Sequence, residues 1–492
     1  MMQRIVKIVS LTLLLIVALE AFTQNGTTTN FLPGSFQQKS YNPAYNTPYK
    51  NVIGIPGVSN IQARANNNVI SLNNAVYNMD DTVAYLDLHK IVSNMSNNNV
   101  IGVEAKLEVL GFGMQIKDRH YFTLNIDVQA EANVILQKRS AGFVLNGPGA
   151  YLDQTEDALS GNKIDVNSYI SAALGYSVIV NKYLTLGFRP KVLFGLYNLY
   201  MKKSDVGLTI DDGTDPEVTP YTYYIQPNVE IYGSLGKQPE EGLVEIIRNF
   251  KFVMPSNPFG NLGAGLDVGA TYRFSNKFMV GLSINDLGFI RWAADTRKLS
   301  SIHSKPYVFK GVEDLKNLVF NDSLNLANTF LTLKDSLLDY LSLQNEACDS
   351  YTRTLTPSFN LSGFLDVTPV DQIGCMWRYR GGDYKISTLT VAYTRQVSET
   401  FSVTVNNSII NSRFINLGAG ILATVAGSLQ FFLVVDKVNS INVLNMRTAG
   451  VQAGLTVALN KTRIGKKGFI ETKKELPKDD APSPYPEYMW SR

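Results

Sequence analysis

FTLNIDVQAEANVIL, residues Phe122–Leu136, alternates almost without a break. Phe122, Leu124, Ile126, Val128, Ala130, Ala132, Val134 and Leu136 are apolar, and Thr123, Asn125, Asp127, Gln129, Glu131 and Asn133 between them are polar. A side-chain period of two describes a strand with one apolar and one polar face. Ordinary strands have about 5–6 residues. Fifteen residues at about 3.3 Å each reach roughly 50 Å. Tilted near 45°, such a strand rises about 35 Å, enough to cross the lipid band of a membrane.

The pattern repeats along the chain. In NVIGVEAKLEV, residues 99–109, Val103, Ala105, Leu107 and Val109 share one face, and Glu104, Lys106 and Glu108 share the other. At VLGFGMQI the phase slips by one, so that Leu110, Phe112, Met114 and Ile116 become the apolar set, as at a β-bulge. Tight turns join SYISAALGYSVIV to YLTLGFRPKVLFGLYNLY, and LGAGLDVGATYRF to FMVGLSINDLGFIRW. PYTYYIQPNVEIYGS, residues 220–234, reads as a further strand. A meander of seven strands fills 353–459. The count is about 14 from residue 98 onward.

Composition narrows the class. The 492 residues carry a net charge of only +3, which argues against nucleic acid as a partner. Charged residues are 18 %, below the usual quarter or so. MMQRIVKIVSLTLLLIVALEAFTQ has a basic start at Arg4 and Lys7, an apolar core from Ile8 to Ala18, and small residues Ala21 and Thr23 before Gln24. This is the pattern of a secretory signal peptide over 1–23. No later apolar run reaches the length of a spanning helix. In lipid, only helices and closed sheets satisfy every backbone group. An exported chain of long alternating strands is therefore read as an all-β transmembrane antiparallel barrel over 98–459. A soluble sandwich or propeller is the alternative.

The remaining segments are given roles around that barrel. Residues 24–97 are rich in amides and breaks, with short apolar anchors at Val52, Ile53, Ile55, Val58 and Ile61, and are expected to plug the lumen. Within them DTVAYLDLHKIVSNM, residues 81–95, is spaced as a short amphipathic helix. Two insertions, 235–260 and 293–352, contain helix-like runs, EEGLVEIIRNF and VEDLKNLVFNDSLNLANTFLTLKDSLLDYLSL. After Leu459 the chain becomes basic and proline-rich, and 460–492 is read as a periplasmic tail.

Little in the sequence suggests catalysis. His89, His120 and His303 lack metal spacing, and no hydrolase, P-loop or zincin motif is present. GAGLDVG, residues 263–269, lies within a strand pattern, so its glycines are read as packing positions. No cofactor or metal is expected. Polar-face residues Glu104, Lys106, Glu108, Asp127, Glu131, Arg189, Lys191, Asp267 and Arg273 are the candidates to face the lumen, joined by Asp366, Arg378 and Arg380. Cys348 and Cys375 can form a disulfide that pins the long insertion to the wall; unpaired, they are two small apolar residues.

NPAYNTPYKNVIGIPGVSNI, GAGLDVGATYRF…GLSINDLGFIRW and LQFFLVVDKVNSINVLNMRTAGVQAGL resemble a family of uncharacterised Bacteroidota outer-membrane proteins. That family is similar to long-chain fatty acid transporter barrels and to barrel subunits of the type IX secretion system. Its recurring motifs stand here as Gly265, Asp267, Gly269 and Tyr272, and as Asn285, Asp286, Leu287 and Gly288. The resemblance implies a non-enzymatic outer-membrane protein set in lipid. It implies either passage of hydrophobic or amphipathic small molecules, or an accessory role beside secretion or surface proteins. No functional residue carries over from the transporters.

Overall fold

The computed structural model describes residues 27–45, 47–67, 76–80, 83–86, 88–146, 160–210, 223–236, 255–257, 259–301, 307–309, 343–410, 416–436 and 448–461. The signal-peptide reading, the helix-like runs of the two insertions and nearly all of the tail lie outside these residues.

The wall is a closed antiparallel barrel of 14 strands. Asn98–Ile116 pairs with His120–Gln137, which pairs in turn with Lys163–Ile179 and then Leu184–Ile210. Leu262–Ser275 and Phe278–Trp292 follow. The next position is held by Tyr351–Thr354 and Ser358–Asp366 together. Asp371–Arg380, Ile386–Ser398, Phe401–Ile410, Leu417–Val425, Leu429–Asp436 and Thr448–Lys461 complete the meander. The connections at one end are tight, at 117–119, 181–183 and 276–277 among others, and those at the other end are long.

Closure comes from a strand that the sequence reading misplaced. Tyr49–Gly54 and Ile61–Asn67, assigned above to the plug, pair with Thr448–Lys461 on one side and Asn98–Ile116 on the other. They form one wall strand, interrupted over 55–60. Gly57 takes a positive φ of 77° in that excursion. The ladder is still bridged there: Leu455 N donates to Val58 O at 2.9 Å, and Glu108 N to Asn60 O at 2.9 Å. Pro56, Gly57 and the amides hid the strand because they break its period.

Conversely, Tyr223–Ser234 does not cross the wall. Leu184–Ile210 is 27 residues long, far more than a membrane requires. Its first half pairs with Leu262–Ser275, while its second half pairs with Tyr223–Ser234. Thr296–Ser301 and Leu343–Ala347 extend this upper sheet, so the described ends of the second insertion are strands. Asn261 sits at the fork. Its side chain bonds Ser234 Oγ at 3.0 Å and accepts from Ala293 N and Ala294 N at 2.8 Å each. Residues 81–95 are likewise mixed, with Val83–Leu86 a strand against Val76–Asp80 and Leu88–Ser93 a helix.

Burial is inverted relative to a water-soluble sheet. Along His120–Gln137, Thr123, Asn125 and Asp127 are buried, whereas Phe122 is 41 % exposed. Phe188, Val192, Leu282, Val391 and Val405 are exposed on other strands. Thr388, Thr390, Thr404 and Ser408 are fully buried. An apolar outer surface and a polar interior suit a wall solvated by lipid. The bulge expected near Val109 is present as a register shift between Glu108 and Leu110.

Cys348 and Cys375 are both free, so the disulfide is not formed. Cys375 is exposed on the wall strand Asp371–Arg380, among the outward Ile373 and Trp377. Cys348 lies beside Thr296, whose Oγ1 donates to the Cys348 carbonyl at 2.8 Å.

The outward face predicts a depth-dependent penalty. Arg in place of Ile126, midway along its strand, is expected to cost about 2–4 kcal/mol, and Arg in place of Ile116, at the strand end, about 0–1 kcal/mol. Urea unfolding from lipid vesicles, followed by heat-modifiable migration, distinguishes the two; equal penalties would contradict a lipid-facing strand.

Candidate functional site

The site is the barrel interior, and the N-terminal segment occupies it. Two short 3-10 turns, Thr28–Phe31 and Phe36–Ser40, are buried at every residue but Ser40. They need no core of their own because the wall supplies partners. Thr29 Oγ1 donates to Gln452 Oε1 at 2.6 Å, and Thr28 Oγ1 donates to Asp436. The Phe31 carbonyl accepts from Thr394 Oγ1 at 3.0 Å and from Thr404 Oγ1 at 3.2 Å. The Tyr41 carbonyl accepts from Ser283 Oγ at 2.5 Å and Asn285 Nδ2 at 2.8 Å. Tyr45 Oη meets Ser362 Oγ at 2.6 Å. Such bonds hold a non-repetitive backbone against a sheet.

Inward glycines let the segment approach. A Cβ on Gly187 would overlap the Pro43 backbone, and one on Gly374 would overlap the Phe31 ring. Phe31, Tyr41 and Tyr45 then pack with Phe364, Met376 and Ala392 of the wall.

Above this segment the ionisable residues form separate groups. Asp267 is fully buried and holds Arg189 at 2.5 Å and Lys191 at 2.6 Å. Lys191 also reaches Asp286 at 2.6 Å. Asp286 has a left-handed φ of 61°, opposite a register shift between Leu266 and Val268. Its backbone N–H donates to Asp267 Oδ1 at 2.8 Å. The two sequence motifs thus meet: Asp267 caps the bulge made by Asn285 and Asp286, and the two carboxylates balance two cations.

A second chain of charge crosses between strands. Arg380 bridges Glu104 at 3.2 Å and Glu131 at 2.5 Å, and Arg64 joins Glu104 at 3.4 Å. Lys106 pairs with Asp127 at 3.1 Å. Glu108 accepts from Asn125 Nδ2 at 3.0 Å. Arg273 stands apart near the tight turns, with Nη1 3.5 Å from the Asn276 carbonyl. Arg64 was missed because its strand was missed. Asp286 was noted only as part of a motif.

Towards the long-loop end the interior becomes apolar. Tyr169, Leu193, Ile290, Trp292 and Leu355 form a buried cluster. Tyr200, Tyr232 and Tyr351 cluster beyond it with ring centroids 5.5–5.6 Å apart, Tyr200 stacked on Tyr232 and Tyr351 edge-on to Tyr232. The Arg353 guanidinium lies 4.1 Å over the Tyr200 ring and pairs with Asp165 at 2.5 Å. Among the described residues no group of His, Cys, Asp and Glu could hold a metal ion.

Fold and interior together define a membrane β-barrel with an occupied lumen. The chain belongs to a family of unknown function, DUF5723, whose model matches residues 43–436. Among solved structures it is similar to a Pseudomonas aeruginosa FadL homologue, at 10 % identity and a TM-score of 0.42, over 89 % of this chain and 100 % of that one. It is also similar to the P. putida toluene transporter TodX, at 8 % identity and a TM-score of 0.37, over 88 % and 95 %. A third likeness is the translocator domain of the autotransporter NalP from Neisseria meningitidis, at 6 % identity and a TM-score of 0.31, over 84 % and 89 %. At these identities and scores the likenesses carry no assignment of function. No curated protein matches the chain.

Removing the cap should be costly. Asp267→Ala leaves Arg189 and Lys191 buried without their shared partner, and the expected loss is about 3–5 kcal/mol. Asp286→Ala should cost less, because Asp267 still serves both cations. Unfolding midpoints in vesicles test the order; a reversed order would contradict the hub.

Proposed function

We propose that the protein is a non-enzymatic outer-membrane channel for hydrophobic or amphipathic small molecules, closed by its own N-terminal segment. The observation that carries the cargo class is the apolar inner wall at the long-loop end. A water-filled pore is lined by polar groups. Here Tyr169, Leu193, Ile290, Trp292 and Leu355 pack as a buried apolar cluster inside the barrel. Arg353 and Asp165 lie beside it and suit a ligand with a polar head and an apolar body. Apolar sites with a few orienting polar groups are the kind that take small ligands.

The closure follows from width. About eight strands make a barrel that wall side chains just fill, so 14 need additional material. We assign residues 27–48 that role within the broader 24–97 plug expected from sequence, while 49–67 serve the wall. Export by the 1–23 signal peptide and residence in the outer membrane complete this reading. No observation among the described residues favours the secretion-assembly alternative.

Two measurements test the proposal. Deleting 27–45 should raise single-channel conductance in planar bilayers severalfold, and Gly187→Val should raise it partially by displacing Pro43. An intact protein that already conducts like an open porin would refute the closure. In a Trp377→Phe, Trp490→Phe background, dodecanoate should change the fluorescence of Trp292, and Leu193→Asp should weaken that response about tenfold or more, since a buried charge is strongly disfavoured in an apolar site. A response unchanged by Leu193→Asp would place the ligand elsewhere.

A further inference from the structure

A second site lies on the outside of the barrel. Leu136 belongs to the outward set of strand His120–Gln137, next to the exposed Val134. It does not face open lipid. Ile91, Val92 and Met95 pack over it, joined by Ala141. Helices Leu88–Ser93 and Lys138–Asn146 therefore rest against the outer wall, just beyond the apolar residues Ile101, Val103 and Val134. Asn99 fastens this corner, donating from Nδ2 to the Ser96 carbonyl at 2.6 Å and the Leu136 carbonyl at 3.0 Å.

Between the helices is a cavity of about 450 Å³, lined by His89, Val92, Ser93, Asn97, Lys138, Arg139 and Gly142. All three of its ionisable groups are basic. Lys138 Nζ donates to the Ser93 carbonyl at 2.9 Å, which uses one of its three N–H bonds and aims the ammonium across the cavity. Lys138 and Arg139 also stand in the first turn of their helix, which contains no acidic residue. Cations there oppose the positive end of the helix dipole. A bound anion is favoured at that end of the helix. Val92, which lines the cavity, belongs to the cluster that packs on the outward Leu136.

We propose that this cavity holds the phosphate headgroup of an anionic membrane lipid, with the acyl chains lying along Ile101, Val103 and Val134. Its position decides between a lipid and a free anion: the basic groups sit at the rim of the lipid-facing surface, on an element that covers part of it. Basic residues at that level attract anionic lipid directly. The site is separate from the lumen and independent of the cargo.

The test is native mass spectrometry of the full-length protein in detergent, titrated with phosphatidic acid and with phosphatidylcholine. One phosphatidic acid should be retained at severalfold lower concentration than phosphatidylcholine. Lys138→Ala with Arg139→Ala should weaken that retention about thirtyfold, at about fivefold per basic residue near a charged surface. Lys138→Arg should keep it, and Lys117→Ala, at the opposite rim, should leave it unchanged. Heat-modifiable migration checks that each variant is folded. If the double variant does not fold, Lys138→Gln alone should give about fivefold. Equal retention of the two lipids, or equal retention by folded wild type and variant, overturns the proposal. Displacement of the lipid by an equimolar amount of inorganic phosphate would assign the cavity to a free anion and overturn it too.

Discussion

Every backbone N–H and C=O of a wall immersed in hydrocarbon must find its partner within the protein. That requirement forces the sheet to close, and closure forces the inversion of polarity. Each strand then has one face in lipid and one face in a confined interior. Apolar Phe188 and Val192 face outward while Arg189 and Lys191 between them are buried. Seen this way, the excursion at 55–60 is the most exposed flaw in the wall. Hydrogen bonds from Leu455 to Val58 and from Glu108 to Asn60 carry the ladder past it.

The interior must then be filled or left wet. Its polar side chains are too many to bury unpaired, because each unsatisfied group costs roughly 1–3 kcal/mol. Two kinds of partner serve. Charges on neighbouring strands neutralise one another, as in the Asp267 hub. Uncharged side chains instead bond the backbone of the N-terminal segment. Thr394, Thr404, Ser283 and Asn285 all donate to carbonyls of that segment. These bonds act together with the buried apolar contacts of Phe31, Leu32, Phe36, Tyr41 and Tyr45 to seat the segment against the inner wall.

Much of the wall was legible because lipid imposes a strict period. The alternation of Phe122–Leu136, the slip near Val109 and the tight turns at 181–183 and 276–277 all follow from the period of two. What was hidden had a different cause in each case. Strand 49–67 has polar residues Gln62, Arg64 and Asn66 inward, but Pro56 and Gly57 interrupt its phase. Tyr223–Ser234 alternates well, yet its place outside the membrane depends on the length of its partner. The positions of Lys106 and Asp127 fit the polar face read from sequence, but their pairing depends on register. Arg380 linking Glu104 to Glu131 spans 276 and 249 residues of sequence, a juxtaposition that only closure creates.

The Asp267 hub also joins the two halves of the site. The bulge that places Asp286 in a left-handed conformation shifts the phase of its strand by one residue. Asn285 is left pointing inward, where its Nδ2 donates to the Tyr41 carbonyl. Asp267 fixes the bulge by accepting from the Asp286 N–H, and Arg189 and Lys191 hold Asp267. Gly269, two residues on, leaves room for Asn42, whose Nδ2 donates to Ala270 and Leu282 carbonyls at 3.1 and 3.2 Å. The geometry thus links the Asp267 hub to the N-terminal segment through Asn285 and Asn42.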